Sequence, residues 1–187
     1  MGLDSERELI TRAASGDEAA FTRLVEQHQH RVYRTAWMFV QDAALASELA
    51  HEAFVRLHGS LPAFRFGAAL STWLHRVVLN LCRDAARRRD RKRRLVPLAE
   101  VDGLPSGEPG PEMLAIRGAS DERVRDAVRR LPPDLRELVA LRFGGGLTYS
   151  EVGYALGVPL GTVCSRMQRA MTLLAADLRP PDQGEPQ

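Results

Sequence analysis

The residues with the plainest chemical capacity form a short polar set near the C-terminal end: Thr162, Ser165, Arg166 and Arg169, at offsets of zero, three, four and seven. On a helix that spacing puts all four on one face. Arginine can bond guanine acceptors or phosphates in a DNA major groove, and hydroxyls can donate or accept there. A second set is purely electrostatic. From Arg83 to Arg94 there are eight basic residues and two acidic ones, a surplus of six in a chain whose net charge is +2. Such a run suits a phosphate backbone and would make binding strongly salt-dependent; a solvated, frayed helix end would look similar.

Other chemistries are poorly served. His28 and His30 are two apart and face different sides of a helix, while His51 and His58 stand about 10 Å apart by helical rise, too far to share one ion. No metal site is expected. The two cysteines, Cys82 and Cys164, lack a C-x-x-C partner, which argues against a disulfide framework or zinc. Gly144-Gly-Gly lacks the Lys-Ser/Thr of a phosphate-binding loop and follows a helix instead of a strand. No nucleophile–base pattern is present, so no catalytic residue and no cofactor are expected.

The polar face near the C-terminus must be held by a helix, and the preceding residues supply its frame. Thr148 with Glu151 predicts a capping box opening a short helix, with Val152, Ala155 and Leu156 inward. Gly157 supplies the stop, and Pro159 fits the first turn of the next helix. There Val163, Met167, Ala170 or Met171, Leu174 and Leu178 face inward, opposite the polar set. Helix, tight turn and polar-faced helix make a helix-turn-helix, although an ordinary helical hairpin shares the pattern. Upstream, Val124, Val128 and Leu131 form one apolar stripe ended by Pro132-Pro133. Leu135, Leu138 and Val139, with Phe143 as a candidate fourth member, form another, ended by Gly144.

The N-terminal half is also helical by period. Asp17 is a candidate N-cap for a helix with Phe21, Leu24, Val25, His28, Val32, Ala36 and Phe39 inward. A second helix starts near Asp42, buries Leu45, Leu49, Phe54 and Leu57, and stops at Gly59. Ser71 would cap a third, with Trp73 or Leu74, Val77, Leu81 and Ala85 inside, running into the arginine cluster. Between the halves, 95–120 is rich in Pro and Gly without hydrophobic period, as in a flexible linker. The expected fold is all-α: two small helical domains, 1–94 and 121–178, joined by a flexible linker at 95–120 and followed by a disordered tail at 179–187.

Composition agrees. Hydrophobic residues make up 44% and aromatics only 6%, which suits small helical modules with aliphatic cores. Twenty-five of the 26 basic residues are arginine, Lys92 being the exception, a bias that points to a GC-rich genome. No apolar run is long enough to span a bilayer, and the charged start from Asp4 lacks a signal-peptide pattern. A cytoplasmic protein without membrane insertion is expected.

Several stretches in order resemble one family. Gly16-Asp-Glu-Ala-Ala-Phe is similar to its opening helix, and Glu48-Leu-Ala-His-Glu-Ala-Phe to its promoter-melting segment, commonly D-L-x-Q-E-x-F. Leu61-Pro-Ala-Phe-Arg-Phe and Thr72-Trp-Leu-His-Arg-Val-Val-Leu-Asn resemble the loop and helix that read the −10 element. Leu131-Pro, Thr148-Tyr-Ser-Glu-Val and Gly161-Thr-Val-Cys-Ser-Arg resemble the domain that reads the −35 element. The sequence thus resembles the extracytoplasmic function sigma factors of bacterial RNA polymerase.

The resemblance implies partners and roles. Core RNA polymerase would be bound through a coiled coil of its largest subunit, at Glu48, Leu49, Glu52 and Phe54 (with Leu49 and Phe54 as core residues in the alternative), and through the flap of the second-largest subunit. Promoter DNA would meet Phe64, Arg65, Phe66, Trp73, Arg76, Asn80, Arg87 and Arg88 in its melted −10 strand. Aromatic faces stack on unpaired bases and Asn can bond a base edge; Trp73 could instead anchor the core. Thr162, Ser165, Arg166 and Arg169 would read the −35 duplex. An anti-sigma factor would be a further partner. The chain departs from the family's usual residues at Glu48, His51 and Cys164, where Asp, Gln and a Lys or Arg are common; the last change removes one expected phosphate contact. The competing assignment is a stand-alone helix-turn-helix regulator, disfavoured by the N-terminal half, which offers no receiver or sensor domain.

Overall fold

The computed structural model describes residues 3–63, 69–95 and 119–179, and among these all regular structure is helical. Four helices build the N-terminal half: α1 (Leu3–Ala14), α2 (Glu18–Val40), α3 (Ala43–Ser60) and α4 (Leu70–Leu95). The C-terminal half comprises α5 (Ala119–Arg130), α6 (Pro133–Val139), a π turn over Ala140–Gly144, α7 (Tyr149–Leu156) and α8 (Leu160–Leu178). The region from 96 to 118, most of the expected linker, and residues 180–187 of the expected tail lie outside the described residues.

Local signals set most boundaries. Asp17 caps α2 by accepting from the Ala20 N–H at 3.0 Å, and Asp42 caps α3 by accepting from Leu45 at 3.0 Å. Between them Gln41 adopts a left-handed conformation, φ 56°, and closes α2 through its N–H to the Trp37 carbonyl. Ser71 does not cap α4: the helix already includes Leu70. α1 was not anticipated. Its buried pair Leu9 and Ile10 is too short a stripe to mark a period, and it docks on α2 through Glu6, which bonds the buried His28 at 2.9 Å.

The inner faces are corrected in detail. Leu74 of α4 is buried and Trp73 only half-buried, while Leu45 and Val77 are half-buried. Val124 and Phe143 are exposed, at 44% and 49%, and Ala127 takes the inward place beside Val128. Leu70, Thr72, His75 and Leu79 of α4 are buried as well. A lone bundle helix shows one apolar stripe; α4 is covered on a second side, and the C-terminal half supplies that cover.

The halves share a core. Leu138, Ala140, Leu141, Leu147, Val152, Ala155, Val163 and Met167 are continuous with the buried leucines of α2, α3 and α4. Arg34 of α2 donates to the Phe143 carbonyl at 3.2 Å, and the Arg136 guanidinium stands over the Phe39 ring at 5.9 Å. At the seam lies His75, 1% exposed. A Cβ on Gly145 would fall 2.9 Å from its Cε1. Thr35 Oγ1 lies 3.0 Å from the Arg31 carbonyl and within hydrogen-bond distance of His75 Nδ1 at 3.1 Å, giving the buried ring a polar partner.

Burial holds His75 down to about 4, with the nearby positive charge of His28 and Arg31 adding to the effect and Glu151 opposing it. A separated half would return the ring toward its ordinary value near 6.5. The contribution of the neutral ring to the packed state is therefore complete above about pH 6.5 and is lost as pH falls toward 4, by at most about 2 kcal/mol at pH 5. Energy transfer between dyes on the two halves should fall across that window, and the pH dependence should vanish in His75→Gln.

Candidate nucleic-acid interface

α4 carries a polar stripe along one side. Trp73, Arg76, Asn80, Arg83 and Arg87 follow at steps of three and four, so their side chains stack along one face. Arg76, Asn80, Arg87 and Arg88 are exposed; Trp73 is half-buried and packs against the core. Half-burial gives Trp73 a share in the core and leaves part of it open to solvent on this face. Arg87 reaches Asp84 at 3.5 Å. Phe64, Arg65 and Phe66 lie outside the described residues.

Arg83 belongs to this face but was not singled out in the sequence, where it was one of eight cations. It donates to Asn80 Oδ1 at 3.0 Å through Nη1, and to both oxygens of Glu137 at 2.6 Å through Nε and Nη2. The Glu137 bond raises the affinity of Arg83 for its proton. Fork-on-carboxylate geometry of this kind is also how arginine grips phosphate.

The second polar face begins at the expected capping box. The Thr148 hydroxyl accepts from the Glu151 N–H at 3.3 Å while Glu151 accepts from the Thr148 N–H at 2.8 Å, completing the capping box. Gly157 closes α7 at φ 69°, a value that a side chain would strain. Pro159 precedes α8 as its cap instead of entering its first turn. α8 then buries Val163, Met167 and Ala170, with Met171, Leu174 and Leu178 half-buried. Ser165 and Arg169 are exposed, and Thr162 and Arg166 half-exposed, Arg166 leaning toward Asp134 at 3.9 Å. Cys164 is exposed beside them, whereas Cys82 is buried in α4 with its thiol pushed up to about 12 by burial and by Glu137. Thr148→Ala should cost about 1 kcal/mol of unfolding free energy through the lost cap, read by urea denaturation.

A third feature is apolar. α2 and α3 flank a groove of about 750 Å³ lined by Phe21, Val25, Tyr33, Phe54, Val55 and His58, among others. Of the expected polymerase contacts, Leu49 and Phe54 are buried at 6% and 7%, with Phe54 on the groove wall. Glu48 is exposed and Glu52 pairs with Arg56 at 2.9 Å, both on α3. Val55, 53% exposed in the groove, was missed because one valine beside a conspicuous Phe carries no period of its own. Among the described residues no group of three or more metal-ligating side chains exists, and no helix is long and apolar enough to cross a membrane.

Two helical domains, with a basic polar stripe on one and a helix-turn-helix on the other, are features of a nucleic-acid-binding protein. Residues 24–92 match the Sigma-70 region 2 family model and residues 127–176 match Sigma-70, region 4. The chain is 38% identical over 159 residues to the ECF RNA polymerase sigma factor SigE of Mycolicibacterium smegmatis, covering 83% of this chain and 62% of the relative. Identity to the RNA polymerase sigma-H factor of Pseudomonas aeruginosa is 30% over 184 residues, covering 95% of each. Among solved structures, CnrH in complex with the cytosolic domain of CnrY shares the fold at a TM-score of 0.69 and 24% identity, covering 92% of this chain and 96% of the other. The chain belongs to the extracytoplasmic function sigma factors of bacterial RNA polymerase.

Proposed function

We propose that this sigma factor binds core polymerase through the α2–α3 groove and its acidic margin, holds the melted −10 strand along α4, and reads the −35 duplex with α8. The observation that carries this reading is the α4 stripe, which places an aromatic, a base-bonding amide and a ladder of guanidiniums on one side of one helix. Each matches a part of a single strand: base face, base edge and phosphate. Thr162, Ser165, Arg166 and Arg169 do the corresponding work in the major groove, at the N-terminal end of a helix that presents them together. Phe64, Arg65 and Phe66 would complete the strand site, and the flap of the second-largest polymerase subunit would bind the C-terminal domain. Glu48, Leu49, Glu52 and Phe54 would flank or line the polymerase contact, with Leu49 acting from within the core.

The protein would act in the cytoplasm and catalyse nothing itself, RNA synthesis belonging to the polymerase. An anti-sigma factor would control it. A solved structure with which this chain shares the fold, the sigma factor RpoE of Bartonella quintana, is in complex with the anti-sigma factor NepR (TM-score 0.66, 20% identity, covering 84% of this chain and 96% of the other).

The groove gives a direct test. Val55→Glu puts a charge at an exposed position, so folding should be unaffected, while a charge forced into an apolar contact should cost about 2 kcal/mol of binding. Core polymerase should bind the variant at least roughly 30-fold more weakly in a surface-immobilised assay. Undiminished binding would remove the groove from the proposal.

A further inference from the structure

The nucleic-acid stripe of α4 is not vacant. Glu137, from the C-terminal domain, sits on it and fills both arms of the Arg83 fork at 2.6 Å, and the same guanidinium reaches Asn80 at 3.0 Å. A carboxylate so held occupies the place that a strand phosphate would take. We propose that Glu137 is an internal phosphate mimic: the C-terminal domain latches over the −10 strand site, so that strand binding and the closed packing exclude each other. The inference rests on the proposed role of α4, and it adds Arg83 as a strand contact and Glu137 as its competitor.

Geometry supports the exclusion independently. Arg166 lies 3.9 Å from Asp134, Asp134 and Glu137 share one face of α6, and Glu137 touches Arg83 beside Asn80. Those links span on the order of 25 Å between the two DNA-reading faces. Promoter elements centred 25 base pairs apart are separated by about 85 Å at 3.4 Å per pair. The closed protein cannot serve both, so the domains must part. The chain from 96 to 118 reaches at most about 80 Å when extended, enough to let them do so.

The latch is built closely as well as charged. At Gly144 an added Cβ would meet the Arg34 carbonyl oxygen, Thr35 Cα and Thr35 N, each at 3.0 Å. These are backbone atoms of α2 and cannot swing aside. Glycine here is what allows the turn after α6 to lie flat on the N-terminal domain and bring Glu137 over Arg83.

The test uses the full chain without polymerase. Radius of gyration is taken by small-angle scattering, and affinity for a short random-sequence single-stranded DNA by fluorescence anisotropy. Glu137→Gln, which removes the charge, and Gly144→Ala, which wedges the seam without touching the charge, should both enlarge the protein and tighten DNA binding several-fold. Arg83→Gln should enlarge it too, yet bind DNA several-fold more weakly than Glu137→Gln. Unchanged size and affinity in both Glu137→Gln and Gly144→Ala would overturn the latch, as would expansion with no gain in affinity. If instead the gain appears but Asn80→Ala in the Glu137→Gln background changes nothing, the latch stands and the assignment of Asn80 to the strand fails.

Discussion

Asn80→Ala should cut promoter-specific transcription by the reconstituted holoenzyme roughly 10- to 100-fold while leaving the protein folded. Asn80 is exposed on α4, so its removal opens no cavity. On the proposed reading, what is lost is a pair of hydrogen bonds to one base edge, worth about 1–3 kcal/mol of discrimination. The effect should be specific to one promoter position: changing that base should be costly for the parent protein and nearly free for the variant. Arg87→Ala makes the contrast. As a phosphate contact it should weaken binding uniformly across sequences and make the salt dependence shallower by about one counterion. Binding measured at several salt concentrations separates the two roles.

Leu74→Ala should lower unfolding free energy by about 3 kcal/mol, within the 2–5 kcal/mol range of fully buried leucines. Leu74 is 0% exposed on the inner side of α4 and belongs to the core that joins both halves. In a chain of this size the midpoint should fall by roughly 6–12 °C. Calorimetry of the full chain checks it. The neighbouring Arg76→Ala, on the exposed face, should leave the midpoint almost unmoved. The pair distinguishes the side of α4 that holds the fold from the side proposed to face DNA.

Much of this was legible in the residues. Asp17, Asp42, Thr148 with Glu151 and Gly157 each mark a helix end by local chemistry, and each acts at the end expected. The α8 polar face follows from its spacing alone. Two things were not legible, for physical reasons. Periodicity reports burial within one helix and cannot say what covers a second side, so Thr72, His75 and Leu79 of α4 gave no warning of the packed C-terminal domain. Long-range pairing is equally silent: Arg83 and Glu137, 54 residues apart, look like ordinary surface charges until the fold joins them. The Gly144-Gly-Gly run was read as a helix stop; two of its members also admit close contact between domains.

The central claim is that this chain gives polymerase a promoter preference, and the most direct measurement is run-off transcription with purified bacterial core enzyme on a pool of candidate promoters. Adding the protein should produce discrete promoter-specific transcripts, absent without it and lost with Asn80→Ala or Arg166→Ala. Failure to bind core and to yield transcripts, together with tight binding of duplex DNA by the protein alone, would contradict the account and identify a stand-alone helix-turn-helix regulator.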